Sequence, residues 1–160
     1  MLKEGDKAPD FVLEGVTPNN IVSEYTLDDL LKDERHLILY FYPKDNTPGC
    51  TKEACDFRDN MNRLISRVNV VGVSADSIKS HVGFKDKYGL NFLLLSDPKK
   101  RVIRMYKALG KKNLYGKVVE GIIRSTFIIS PEKKILKIWH KVRAEGHVDE
   151  IIEELDRLKI

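Results

Sequence analysis

His-Leu-Ile-Leu-Tyr-Phe-Tyr, at residues 36–42, is a nearly continuous apolar and aromatic run that ends at Pro43. Strands that are buried on both faces of a sheet have this composition. Comparable runs occupy residues 69–75, 93–97 and 125–130. We therefore expect four strands in the interior of one sheet.

Apolar residues recur at helical spacing between these strands. The pattern predicts helices over residues 27–31, 48–65, 77–88, 98–106 and 148–158. Residues 134–140 alternate between apolar and polar side chains, which predicts a hairpin with the strand before Pro131. The order of strands and helices predicts an α/β fold with a central mixed β-sheet flanked by helices on both faces. Residues 111–119 show no clear pattern and are interpreted as a mobile loop.

The chain has 160 residues and a mass of 18.4 kDa, which predicts a single domain spanning residues 1–160. Its longest apolar run is far shorter than the ~20 residues of a membrane span, and its first residues lack the apolar core of a secretory signal. We therefore expect a cytoplasmic protein with no membrane partner. The net charge of +4 comes from basic residues spread along the chain, so it does not indicate nucleic-acid binding.

The two cysteines, Cys50 and Cys55, are five positions apart. They are too few for a multi-bridge disulfide framework or an all-cysteine zinc site. The four histidines are dispersed along the sequence, so a metal site is not indicated. In a cytosolic chain, a close cysteine pair is either redox-active or incidental.

The loop after the strand at residues 36–42 leads into the helix that contains both cysteines. Crevices form at the carboxyl ends of strands in open α/β sheets, so this loop is well placed for a site. Thr47 is a good N-cap and Pro48 suits the first helical position, which puts Cys50 in the first turn. Free amides and the helix dipole favour an anion there, so Cys50 should have thiolate character. The alternative is that Cys50 is a small apolar core residue.

An intact helix keeps the two thiols apart. Five residues of α-helix separate the two Cα atoms by about 8.7 Å, given a rise of ~1.5 Å per residue and a radius of ~2.3 Å. A disulfide needs Cα atoms within about 7 Å of each other. If Cys50 and Cys55 form a disulfide, the first turns of the helix must therefore unwind.

Two redox chemistries suit a close cysteine pair. Dithiol–disulfide exchange typically uses C-x-x-C, whereas this chain has C-x-x-x-x-C. In peroxide reduction, a thiolate becomes a sulfenic acid, which a second thiol converts to a disulfide. This second chemistry needs a partly shielded thiolate, hydrogen-bond donors for the peroxide and another thiol nearby.

Residues 42–55 resemble the active-site signature of the peroxiredoxins, P-x-x-x-T-x-x-C. The second cysteine, five residues on, is similar to that of the bacterioferritin-comigratory protein subfamily, also called PrxQ. Residues 5–11 resemble the family's N-terminal opening and residues 123–127 its arginine-bearing strand, so the likeness covers nearly the whole chain. The resemblance implies a thioredoxin fold with an N-terminal extension.

The resemblance also implies a role for each matching residue. Cys50 would be the peroxidatic cysteine and Cys55 the resolving cysteine. Thr47 would hydrogen-bond the thiolate and the peroxide, and Arg124 would stabilise the thiolate and the charge of the transition state. Pro43 would shield the site from water.

The activity implied by the resemblance is reduction of hydrogen peroxide and organic hydroperoxides, in antioxidant defence and cell redox homeostasis. It would need no metal, haem or flavin, and thioredoxin or a similar dithiol protein would reduce the disulfide. Glu53 would orient the arginine. Because the resolving cysteine lies in the same chain, we expect a monomer or at most a weak dimer. Two alternatives stay open: a thiol–disulfide oxidoreductase or holdase on the same fold, and a non-enzymatic redox sensor.

Overall fold

A computed structural model describes residues 2–160. The strands are β1 (Val12–Val16), β2 (Val22–Thr26), β3 (His36–Phe41), β4 (Val68–Ser74), β5 (Leu93–Ser96), β6 (Leu109–Leu114), β7 (Lys117–Ile122), β8 (Ser125–Ile129) and β9 (Ile135–His140). The helices are α1 (Leu27–Leu31), α2 (Pro48–Asp59), α3 (Met61–Leu64), α4 (Ile78–Tyr88), α5 (Arg101–Met105) and α6 (His147–Leu158).

Seven strands form one sheet in the order β2-β1-β5-β4-β3-β8-β9. The central pairs β3–β4 and β4–β5 are parallel, whereas β1 and β8 run antiparallel to their neighbours. The predicted mixed sheet is therefore confirmed, and so is the hairpin that β8 forms with β9. The sheet brings the carboxyl ends of β3, β4 and β5 to one edge, where the chain passes from β3 into α2.

The side chains of β3 divide between two cores. Leu37, Leu39 and Phe41 pack on one face of the sheet with α1 and α5. Ile38 and Tyr40 pack on the other face with α2, α3, α4 and α6. Because every second residue of a strand points to the same face, a strand covered on both faces is apolar throughout, as the composition of residues 36–42 predicts.

The helix predicted over residues 48–65 is interrupted at Asn60. The Asn60 side chain donates to the carbonyl of Asp56 at 2.8 Å, so it competes with the backbone for the helical acceptor. The chain resumes as α3, and Ile65 lies outside the helix with 55 % of its surface exposed. The helix predicted over residues 98–106 is also shorter, since Lys100 takes a left-handed conformation and α5 starts only at Arg101.

The expectation of a mobile loop at residues 111–119 is wrong. These residues belong to the β6–β7 hairpin, a separate two-stranded antiparallel sheet. Its turn consists of Tyr115 and Gly116, with φ angles of 53° and 78°. Two consecutive positive φ angles are the signature of a tight hairpin turn, which sequence patterns normally reveal by Asn-Gly or Asp-Gly. This turn has tyrosine in the first position instead, so the sequence pattern did not indicate it.

Within residues 2–160, no helix combines the length and the apolar character needed to cross a membrane.

Candidate active site

The connection from β3 to α2 positions Cys50 at the start of a helix. Thr47 is the N-cap residue, with extended backbone angles, and Pro48 is the first helical residue. Cys50 is therefore the third residue of α2, as the sequence predicts, and only 2 % of its surface is exposed. A sulfur at this position lies near amides that have no partner within the helix, which makes it a favourable place for negative charge.

The Thr47 hydroxyl does not cap the helix. It donates instead to the carbonyl of Lys44 at 2.8 Å, inside the loop that precedes α2. Pro43 is half-buried in the same loop, directly after the buried Tyr42. The roles expected of Thr47 and Pro43 toward a peroxide stay predictions.

Arg124 reaches Cys50 across the sheet. It directly precedes β8, whose first residue, Ser125, pairs with Phe41 at the end of β3. Its Nη2 lies 3.4 Å from the Sγ of Cys50, and its Nη1 donates to Oε1 of Glu53 at 2.6 Å. One guanidinium therefore bridges the sulfur and a carboxylate that are one helical turn apart on α2.

Glu53 is fully buried beside this arginine. Burial raises the pKa of Glu53 to about 7, and the charge and hydrogen bond of Arg124 oppose the rise. Burial acts to lower the pKa of Arg124, but the charges of Glu53 and Cys50 outweigh it, so the net shift is upward. The guanidinium is thus permanently charged, and a charged donor beside the sulfur stabilises its anionic form.

Gly49 allows the arginine to approach, which the sequence did not reveal. A Cβ atom at this position would lie 3.1 Å from Nη2 of Arg124, closer than ordinary van der Waals contact. A surface cleft of about 540 Å³ opens there, lined by Gly49, Arg124, Arg143, Ala144 and Glu145. The cleft offers a route by which a small molecule can approach the first turn of α2.

Cys55 is a free thiol, as is Cys50, and it is half-buried. Both lie within the continuous helix α2, so the structure represents the reduced, helical arrangement. The geometric expectation that an intact helix keeps the thiols unbonded agrees with this arrangement. The resolving role of Cys55 stays a prediction.

Sequence reasoning also missed a polar cluster beside the loop between β3 and α2, in which Asp45 and His81 are buried and Asp76 is half-buried. Atoms of Asp45, Asp76 and His81 that could bind a metal ion lie within 4.8 Å of one another, although the histidines are dispersed in sequence. The signal that could have indicated the cluster is the position of its members after the buried strands β3 and β4. Both oxygens of Asp45, Oδ2 of Asp76 and both ring nitrogens of His81 already take part in hydrogen bonds.

Comparison with known proteins places the chain in a family. Residues 4–138 match the model of the AhpC/TSA family. The chain is 46 % identical over 155 residues to a putative peroxiredoxin bcp of Coxiella burnetii, covering 96 % of this chain and 99 % of that protein. It is 40 % identical over 153 residues to peroxiredoxin Bcp of Bacillus subtilis, covering 94 % and 93 % of the two chains.

A solved structure of the bacterioferritin comigratory protein of Xanthomonas campestris, studied for its alkyl peroxide reduction activity, superposes with a TM-score of 0.83. The two sequences are 37 % identical, and the match covers 92 % of this chain and 90 % of that one. This confirms the thioredoxin fold expected from the resemblance. The chain therefore belongs to the AhpC/TSA family, as a peroxiredoxin of the bacterioferritin-comigratory (PrxQ) type and hence a thiol-dependent peroxidase.

Proposed function

We propose that this peroxidase reduces hydrogen peroxide and alkyl hydroperoxides with Cys50 as the attacking thiol and Cys55 as the resolving thiol. The observation that supports the proposal best is the position of Arg124, whose Nη2 lies 3.4 Å from the sulfur of Cys50. The Cys55 sulfur has no comparable cationic hydrogen-bond donor within residues 2–160, and the Xanthomonas relative is described as reducing alkyl peroxides.

In the first step, the Cys50 thiolate attacks the terminal oxygen of the peroxide. An S–O bond forms and the O–O bond breaks, so that the sulfur is oxidised by two electrons to a sulfenic acid. The alkoxide that leaves, or hydroxide when the substrate is hydrogen peroxide, takes a proton and departs as alcohol or water. Arg124 stabilises the negative charge that passes from sulfur to the leaving oxygen, and the Thr47 hydroxyl is placed at the same helix terminus.

In the second step, the Cys55 thiolate attacks the sulfur of the sulfenic acid. The S–S bond forms, the S–O bond breaks and the oxygen leaves as water after protonation. Because both residues lie in one continuous helix, α2 must unwind locally before the sulfurs can meet.

A dithiol protein such as thioredoxin then reduces the Cys50–Cys55 disulfide by thiol–disulfide exchange. The whole cycle uses cysteines of a single chain, so no second subunit is needed and we expect a monomer. We assign residues 1–160 to one domain and the reaction to the cytoplasm, where dithiol reductants are maintained.

The test is peroxide consumption coupled to a thioredoxin system, measured for the wild type and two variants. Cys50→Ser should abolish turnover, and Cys55→Ser should retain one round of oxidation and trap a sulfenic acid that dimedone labels. The wild type should lose both titratable thiols to one equivalent of peroxide. Full activity of Cys50→Ser would overturn the assignment, and insulin reduction without peroxide consumption would favour the thiol–disulfide oxidoreductase alternative.

A further inference from the structure

The loop between β3 and α2 contains a buried carboxylate that the peroxide chemistry does not use. Asp45 is five residues before Cys50, and only 4 % of its surface is exposed. Its Oδ1 accepts from the Tyr42 hydroxyl at 2.6 Å, and its Oδ2 accepts from the Ser80 hydroxyl at 2.8 Å. Because the carboxylate is buried and both of its oxygens accept hydrogen bonds, the Asp45 side chain holds this part of the loop in one position.

His81 of α4 completes this arrangement. The ring is fully buried, with Nδ1 2.7 Å from Oδ2 of Asp45 and Nε2 2.8 Å from the carbonyl oxygen of Leu95. A backbone carbonyl only accepts, so Nε2 carries a proton and donates to Leu95. His81 therefore connects the loop to β5 through hydrogen bonds at both ring nitrogens.

The backbone of the loop is held from β4 as well. The amide of Asp45 donates to Oδ2 of Asp76 at 2.8 Å, and the Ser74 hydroxyl donates to the same oxygen at 2.6 Å. The next residue, Asn46, has a φ of +63°, a left-handed conformation that costs free energy for a residue with a side chain. Asn46 immediately precedes the N-cap Thr47, so the anchored residue fixes the turn that starts α2.

We propose that Asp45 and His81 are positioning residues, which hold the loop of residues 43–47 so that the donors around Cys50 face the peroxide. Neither side chain hydrogen-bonds to the sulfur of Cys50. Their hydrogen bonds join the loop to α4, to β5 and to the residues that directly follow β3 and β4. The proposal rests on Cys50 being the thiol that reacts with peroxide.

A metal site is the competing explanation for the same cluster. Its three members are Asp45, Asp76 and His81. Oδ2 of Asp76 already accepts from the Asp45 amide and the Ser74 hydroxyl. Both nitrogens of His81 are engaged with Asp45 and Leu95, so neither presents a free lone pair to a cation. The hydrogen-bond arrangement therefore favours the positioning role.

The test compares two reactions of Cys50 in a Cys55→Ser background, so that only one thiol reports. Reaction with hydrogen peroxide needs oriented donors, whereas alkylation by iodoacetamide needs only an accessible thiolate. We expect Asp45→Asn and His81→Gln to lower the peroxide rate constant roughly 10- to 100-fold while the alkylation rate changes little. If the two residues act as one unit, the double variant should lose no more than the worse single variant.

The matched control is Lys85→Met, one helical turn after His81 on α4. Lys85 is also buried, but it donates to the Pro18 carbonyl and to Asp86, away from the loop. This control should leave the ratio of the two rate constants unchanged even if it lowers stability. Should His81→Gln fail to fold, Asp45→Asn, which is nearly isosteric, decides the question.

An unchanged ratio in Asp45→Asn, or an equal fall in both rate constants, would overturn the positioning role. The proposed function is checked separately with Cys50→Ser in the same peroxide assay. If Cys50→Ser still reacts with peroxide, the assignment of Cys50 fails. If it does not react and Asp45→Asn behaves like the parent, only the positioning role fails.

Discussion

At the scale of single residues, the active site depends on one guanidinium that contacts both a carboxylate and the reactive sulfur. Arg124 donates to the carboxylate of Glu53 and lies against the sulfur of Cys50. Lysine could not bind both groups in this way, because its ammonium lacks the planar fork of donors. Since Glu53 is buried and Oε2 has no hydrogen-bond partner within residues 2–160, its negative charge is costly to maintain.

Glu53 should make stability depend on pH. Its pKa is about 7 in the folded protein against an ordinary value of 4.5, so the folded state binds this proton more tightly. The contribution of this proton to the free energy of unfolding is therefore fully present below about pH 4.5 and is lost as the pH rises through 7. Between about pH 4.5 and about pH 8, ionisation of Glu53 should lower the free energy of unfolding of the wild type by roughly 3 kcal/mol. Glu53→Gln still accepts from Arg124 but cannot ionise, so this fall should be absent from the variant.

The measurement is urea unfolding of the reduced protein at several pH values across this range. Glu14→Gln, at an exposed position on β1, is the control and should give the same pH dependence as the wild type. Parallel curves for the wild type and Glu53→Gln would contradict the prediction.

At the scale of elements, α2 must satisfy two opposing requirements. As a helix it supplies the amide-rich terminus at Cys50 and buries Ala54 and Phe57 in the core. For Cys50 and Cys55 to form a disulfide, however, the first turns of α2 must unwind. Gly49 has a low helical propensity and the amides of the first turn have no partner within the helix, so the start of α2 is the part that unwinds at the lowest cost.

Oxidation should therefore melt the first part of α2. Disulfide formation between Cys50 and Cys55 should lower the far-UV CD signal of helix and accelerate hydrogen exchange at the amides of residues 50–55. α6, which packs against α2, should keep most of its protection. Cys55→Ser, oxidised to the sulfenic acid, is the control and should show neither change. A disulfide-linked protein with unaltered exchange in α2 would disprove unwinding.

At the scale of the whole molecule, the β6–β7 hairpin is set apart from the seven-stranded sheet. Its outer part exposes apolar side chains, and Tyr115 has 98 % of its surface exposed. Leu109 and Ile122 at its base contact the core, whereas the tip contributes nothing to either core cluster. Most of the stability of the molecule should therefore be independent of the tip.

Shortening this hairpin should leave the fold and the chemistry intact. Replacing residues 112–119 by Asn-Gly keeps the pair Lys111–Glu120 and supplies a favourable two-residue turn. We expect the free energy of unfolding to change by less than about 0.5 kcal/mol and the peroxide rate to be unchanged. Urea unfolding and the coupled peroxidase assay measure both quantities. A large loss of activity alone would show that the tip takes part in the reaction.

The sequence by itself determined the buried strands, the mixed sheet and the location of Cys50 in the first turn of a helix. These features follow from local patterns, since the burial of β3, the N-cap at Thr47 and the proline at residue 48 are each encoded within a few residues. The helix end at Asn60 and the hairpin turn at Tyr115 were not predictable in this way, because neither residue type is a strong signal for the conformation it adopts.

Only the tertiary structure decided which distant groups meet at the site. Arg124 is 74 residues from Cys50, and the β3–β8 pairing brings it to the sulfur. The resemblance to peroxiredoxins indicated this arginine, but no sequence pattern indicated that His81 and Asp45 would share a hydrogen bond across 36 residues. Such contacts depend on the order of strands in the sheet, which places the ends of β3, β4 and β5 side by side and is not contained in any local segment.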